Sequence, residues 1–154
     1  MHSGNANLRC SSYYIAHALA LCESCNHPSR VFALALPPGH ESRVDGVWQR
    51  IEANAFIFHV AELASPVSRL LHQAAPFFSR KWGEGQRNPY WANHCEHCGS
   101  MFNDEALHCE PGGFMPTQPA EAEAILLCHV AEEFSADAAG YALDPEYFSL
   151  MRRR

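Results

Sequence analysis

Two short cysteine pairs, Cys22-Glu23-Ser24-Cys25 and Cys95-Glu96-His97-Cys98, are the residues whose types and spacing can do chemistry. A Cys-x-x-Cys loop sets two thiolates on one side of a tight turn, and two such loops complete a tetrahedral cage for Zn2+. The ligand set predicted from the spacing is Cys22, Cys25, Cys95 and Cys98. Gly99, directly after the second pair, suits the positive φ that such a turn asks for. Four thiolates leave no open coordination position, so the expected metal is structural, contributing on the order of 10 kcal/mol to folding. A reactive dithiol of the thioredoxin type would sit at a helix N-terminus within a βαβ pattern, and neither pair does.

Other candidate groups organise less well. His94, His97, His108 and His129 crowd the later half of the chain, but His94, His108 and Cys109 match no metal spacing and read as ordinary surface or packed residues. Cys10, Cys109 and Cys128 read as free thiols, Cys128 as a core residue. The chain has no Gly-x-Ser-x-Gly, no phosphate-cradling glycine loop, no His-Glu-x-x-His, no deaminase zinc signature and no paired-carboxylate motif. His108 and Cys109 are adjacent and point apart, with no third group to orient them. The expectation is a protein that is not an enzyme.

The elements that must position the thiols follow from the local pattern. Residues 13–21 and 31–36 read as two strands, the second stopped by Pro37-Pro38-Gly39, forming a hairpin with Cys22 and Cys25 at its tip. Residues 37–47 read as loop and 55–60 as an aromatic-rich strand. Ser65-Pro66 reads as an N-cap followed by proline at the first helical position, opening a helix to Ala74. Residues 76–88 read as a polar connection, and Tyr90 to Asn93 as a strand entering the second cysteine loop. Residues 101–108 are ambiguous, as are 121–130, where Cys128-His129-Val130-Ala131-Glu132 echoes Phe58-His59-Val60-Ala61-Glu62 and tilts the reading to strand. Asp144-Pro145 reads as the start of a short helix through Met151. The fold class expected is α+β: an antiparallel zinc-ribbon-like sheet with a long insertion between the two knuckles and one or two short helices. The domain plan is a flexible leader over 1–11, one zinc-ribbon-containing domain over 12–151 and a basic tail over 152–154.

Composition bounds the rest. With 154 residues, 47% apolar and 18% charged, the chain can build a core and is not disordered. No run approaches the roughly 18 apolar residues of a membrane span, and the N-terminus lacks the pattern of a signal peptide. Seven cysteines without an export signal point to a reducing compartment, hence the cytoplasm. The net charge of −6 is uneven: residues 88–151 hold eleven acids and no Lys or Arg, and Arg152-Arg153-Arg154 close the chain. This acidity disfavours general phosphate binding, which needs clustered cations. It suits a basic protein partner met through Glu121, Glu123, Glu132 and Glu133, such as a component of a nucleic-acid-handling or defence system. The alternative is direct nucleic-acid binding through Arg80, Lys81, Trp82, Arg87, Tyr90 and Trp91, which supply stacking and phosphate-contacting types in one stretch. No membrane role is expected.

The run Tyr90-Trp91-Ala92-Asn93-His94-Cys95-Glu96-His97-Cys98-Gly99, followed by His108 and Glu110-Pro111-Gly112-Gly113, resembles a segment of uncharacterised bacterial zinc-ribbon proteins, often from mobile elements. There a similar run, with proline where this chain has Glu96, is completed by a distant Cys-x-x-Cys hairpin. The resemblance covers residues 13–42 and 88–117. It implies the same four ligands and a split ribbon, and it implies no activity.

Overall fold

A computed structural model describes residues 5–81 and 90–154. Its strands are β1 (Leu8–Cys10), β2 (Tyr13–Leu21), β3 (Pro28–Leu36), β4 (His40–Val44), β5 (Val47–Ile51), β6 (Ala55–Leu63), β7 (Phe78–Lys81), β8 (Tyr90–Asn93), β9 (Leu126–Val130), β10 (Phe134–Leu143) and β11 (Arg152–Arg153). The helices are α1 (Ser65–Ala74), α2 (Asp104–Cys109) and α3 (Pro119–Glu123). The strands form one mostly antiparallel sheet in the order β11-β9-β2-β3-β6-β10-β1-β4-β5, with β8 pairing β6 and β7 pairing β8. The α+β expectation therefore stands at this level.

Alternation along β2 and β3 builds a core on each face of the sheet. Ile15, Phe32, Leu34 and Leu36 pack with Ile57, Val67, Leu71 and Phe78 beneath α1. Ala16, Val31, Ala33 and Ala35 face the other way, against Phe56, Leu107, Phe114, Ile125, Leu127 and Phe148. A strand covered on both sides needs no polar residues, which explains the continuous apolar run over residues 31–36.

β6 positions both halves of the later site. Its first part, Ala55–Ile57, pairs with Leu36–Leu34 of β3, whereas Val60 pairs with Trp91 of β8. Between them the backbone is irregular. His59 lies in the left-handed region at φ 50°, and the register with β10 slips by one residue between Glu62 and Val60. Such a bulge bends a strand and re-aims its edge. Past Ile57, β6 no longer pairs with β3 and pairs instead with β8, the strand that leads into the second cysteine loop.

Several expectations are corrected. Leu8–Cys10, expected in a flexible leader, are β1, held between β10 and β4. Asn7 extends that pairing with its carboxamide, which donates to the Ala138 carbonyl (2.8 Å) and accepts from its N–H (3.0 Å). Much of residues 37–47, read as loop, belongs to the β4–β5 hairpin, and Asp45-Gly46 at its turn both adopt positive φ. An Asp-Gly pair between strands is a strong hairpin signal, so this element was legible. Ala64 and not Ser65 caps α1, with no side-chain hydrogen bond. Phe78–Lys81 form β7 where a polar connection was expected, because Phe78 is drawn into the core. The C-terminal helix reduces to a 3-10 turn at Phe148–Leu150: buried Phe148 and Met151 anchor it, and the expected tail pairs as β11 with Leu126 and Leu127. The echo between residues 58–62 and 128–132 marks no repeat, since His59 has a positive φ while His129 pairs regularly with Tyr14.

Candidate metal centre

The first knuckle is the tip of the β2–β3 hairpin. Asn26 N–H donates to the Cys22 carbonyl (2.7 Å), and Cys22 N–H donates to the His27 carbonyl (2.9 Å). The second knuckle repeats the pattern: Gly99 N–H donates to the Cys95 carbonyl, and Cys95 N–H to the Ser100 carbonyl, each at 2.9 Å. In both loops the residue after the second cysteine has a positive φ, 62° at Asn26 and 79° at Gly99. These residue types carry that conformation at least cost.

The two loops face each other. Cys22 Sγ lies 3.6 Å from Cys98 Sγ, and Cys25 Sγ lies 3.6 Å from Cys95 Sγ. All four sulfurs lie within 4.8 Å of one another. A tetrahedral ion with sulfur bonds of about 2.3 Å requires sulfur–sulfur edges of roughly 3.8 Å, so this cage has the dimensions of a four-thiolate metal site. Among the described residues it is the one grouping of this kind. Cys22 and Cys95 are buried, Cys25 is half-buried and Cys98 is exposed.

The electrostatics of the cage suit a cation. The hydroxyl and N–H of Ser100 hold the Cys98 thiol down at about 6. At Cys25 the His27 N–H favours the thiolate, yet burial and the three neighbouring sulfurs push the thiol up to about 12. Four thiols this close cannot all ionise alone. A divalent ion removes that repulsion and binds the deprotonated set. The His97 N–H lies 3.4 Å from Cys95 Sγ, an outer contact that supports charge on that sulfur.

The second loop is fastened to β3 by side chains that sequence reasoning did not single out. Beyond Leu34, β3 loses its partner β6. Asn93 takes its place: its Oδ1 accepts from Phe32 N–H (2.7 Å) and its Nδ2 donates to the Phe32 carbonyl (2.8 Å). Two residues back along β3, Glu96 does the same for Arg30. One carboxylate oxygen accepts from Arg30 N–H (2.8 Å), and the other accepts from the guanidinium Nε and Nη2 (3.0 and 2.9 Å). The Arg30 guanidinium holds the Glu96 carboxyl below the usual range. Ser29 Oγ accepts from Glu96 N–H at 3.0 Å. Glu96 is thus a clamp between the two knuckles, and its position between two of the four cysteines was the available signal.

The remaining candidates disperse. Arg80 is exposed on β7, cross-strand from Trp91, and Lys81 pairs with Tyr90. Trp82 and Arg87 lie outside the described residues. Glu121 and Glu123 sit on α3, before β9, whereas Glu132 and Glu133 follow it. A strand of five residues puts roughly 15 Å between the two pairs. Glu121 also accepts from the Thr117 N–H at 2.8 Å. His108 is stacked between Phe58 (4.6 Å between ring centres) and Phe114 (5.2 Å), and burial holds its imidazole down at about 3. Cys109 is exposed, while Cys10 and Cys128 are half-buried, so Cys128 is less enclosed than expected.

Searches against protein-family models, curated proteins and solved structures find no match, so they give no support to the bacterial family or to an origin in mobile elements. No helix among the described residues is long and apolar enough to cross a membrane.

Proposed function

We propose that this chain is a zinc-stabilised binding protein in which a Cys22, Cys25, Cys95 and Cys98 site fixes a split ribbon. The observation that carries the reading is the four-sulfur cage itself, with 3.6 Å contacts joining the tip of one hairpin to a loop from the opposite half of the chain. Zinc suits four thiolates in tetrahedral array, and the closed shell leaves no position for substrate or water, so the metal's role is to hold structure. With the chemistry spent on architecture, the work falls to the surface. The partner proposed is a basic protein, met by exposed carboxylates at either end of β9.

The test is reconstitution of a purified complex with a captured basic partner, followed by separate neutralisation of Glu121 with Glu123 and of Glu132 with Glu133. The reading expects one of the two double variants to weaken the complex and added salt to do the same. A complex indifferent to both would overturn the acidic-surface part. A second reading, direct binding of single-stranded nucleic acid, is favoured by one observation. Arg80 stands cross-strand from Trp91, which lines a shallow depression with Arg69 and His72 of α1. It expects salt-sensitive binding to an oligonucleotide that falls on Arg80→Ala, and absence of binding at low salt would remove it.

A further inference from the structure

Far from the metal cage in strand order, β10, β1, β4 and β5 form the floor of a cleft of about 920 Å³, walled by the start of α1 at Ala64 and Pro66. A volume of this size accepts a ligand of nucleotide dimensions. The lining carries three arginines against two glutamates in a chain that is acidic as a whole. Arg9, Glu41 and Arg50 form one cross-strand row, and Arg43 opposite Trp48 forms the next row on the same face.

The three guanidiniums are arranged and incompletely used. Arg9 lies over the Trp48 ring, its Cζ 3.9 Å from the ring centre, while its Nε donates to Glu41 (2.8 Å). Arg50 engages Glu52, also through Nε. Both contacts run through Nε, and Arg43, 5.5 Å from the same indole, has no carboxylate within 4.0 Å among the described residues. Stacking and the Nε contact hold Arg9 in place before any ligand arrives, which lowers the ordering cost of binding. Open guanidinium forks converging on one cleft match the several oxygens of a phosphoryl group.

Glu133 also lines the cleft. Glu41, paired with Arg9, offsets one guanidinium in the floor, and a bare polyanion would also meet Glu133 unfavourably, whereas a ligand that also carries hydroxyl or amine donors would use Glu133 as an acceptor. We infer that this cleft binds a phosphorylated small molecule of nucleotide type, with its phosphates on Arg9, Arg43 and Arg50 and a donor group toward Glu133. The site is separate from the metal and from Arg80 and Trp91; it shares Glu133 with the proposed acidic surface, so its affinity variants change only arginines and leave that surface intact.

The experiment is calorimetric titration of the full zinc-loaded chain with ADP, with inorganic pyrophosphate and with an oligothymidylate, repeated on Arg43→Ala and Arg50→Ala. Zinc content and melting temperature verify that each variant is folded. The inference expects 1:1 binding of ADP, tighter than pyrophosphate, and about tenfold weaker in each variant, as for loss of one charge-assisted contact. The Trp48 indole N–H resonance, assigned with Trp48→Phe, should shift on adding ADP to the wild type. Absence of ADP binding, ADP affinity unchanged in both variants, or equal affinity for pyrophosphate would overturn it. An oligothymidylate that outcompetes ADP would overturn it in favour of a nucleic-acid strand.

Discussion

Asn93→Ala tests how the second knuckle is held. Asn93 is 1% exposed and Phe32 is 7% exposed, so the two hydrogen bonds between them lie out of water. The alanine variant leaves the Phe32 N–H and carbonyl without partners. An orphaned buried polar group costs about 1–3 kcal/mol, which gives about 2–6 kcal/mol for the pair, nearer the lower end where water can enter the gap. For a domain of this size, 1 kcal/mol moves the melting temperature by about 2–4 °C, so a fall on the order of 10 °C is expected. The assay is urea unfolding and thermal melting of wild type and variant at one fixed free zinc concentration, because metal binding itself adds to apparent stability. A midpoint shift worth less than about 0.5 kcal/mol, with an unchanged denaturant slope, would refute the claim that this carboxamide stands in for a missing strand.

Three further outcomes follow. His108 is held below its ordinary value of 6.5, at about 3, so its contribution is complete above pH 6.5 and is lost as pH falls toward 3. The unfolded chain then binds a proton that the native state refuses, costing about 1.4 kcal/mol per pH unit. His108→Phe keeps the stack and should flatten the acid limb by one proton in pH-dependent unfolding, and an unchanged limb would contradict the burial argument. Gly140→Ala places a methyl group on the Phe58 ring and should destabilise the fold by about 1–3 kcal/mol, read by thermal melting; wild-type stability would contradict the packing. Glu96→Ala removes the clamp to Ser29 and Arg30 and should release the metal several-fold faster to a chromogenic chelator, whereas an unaltered rate would show that the clamp does not hold the second loop.

The thiols and the elements beside them were legible because their signals are local. Two Cys-x-x-Cys loops, an apolar run ended by Pro37-Pro38-Gly39, and a proline one residue into α1 each act within a few residues. β10 was not legible. Phe134 to Leu143 is rich in Ala and Gly, poor strand formers, and it is a strand because β6 and β1 pair it on both sides. Its Gly140 is small to admit Phe58, a requirement set by a residue far away in sequence. β1 and β11 are likewise short segments fixed by their neighbours. Composition counts the acids but does not say that β9 stands between Glu121 and Glu123 on one side and Glu132 and Glu133 on the other. Asn93 and Glu96 were visible as residues, but their role depends on β3 parting from β6 at Leu34, which no local pattern announces.

The central claim is that four cysteines close on one metal ion and that this closure ties the hairpin to β8. Native mass spectrometry of the reduced protein, wild type against Cys95→Ser, tests it most directly. The account predicts one zinc per wild-type chain, with the variant metal-free and unfolded by its charge-state distribution. A wild type that is folded and carries no metal would contradict it.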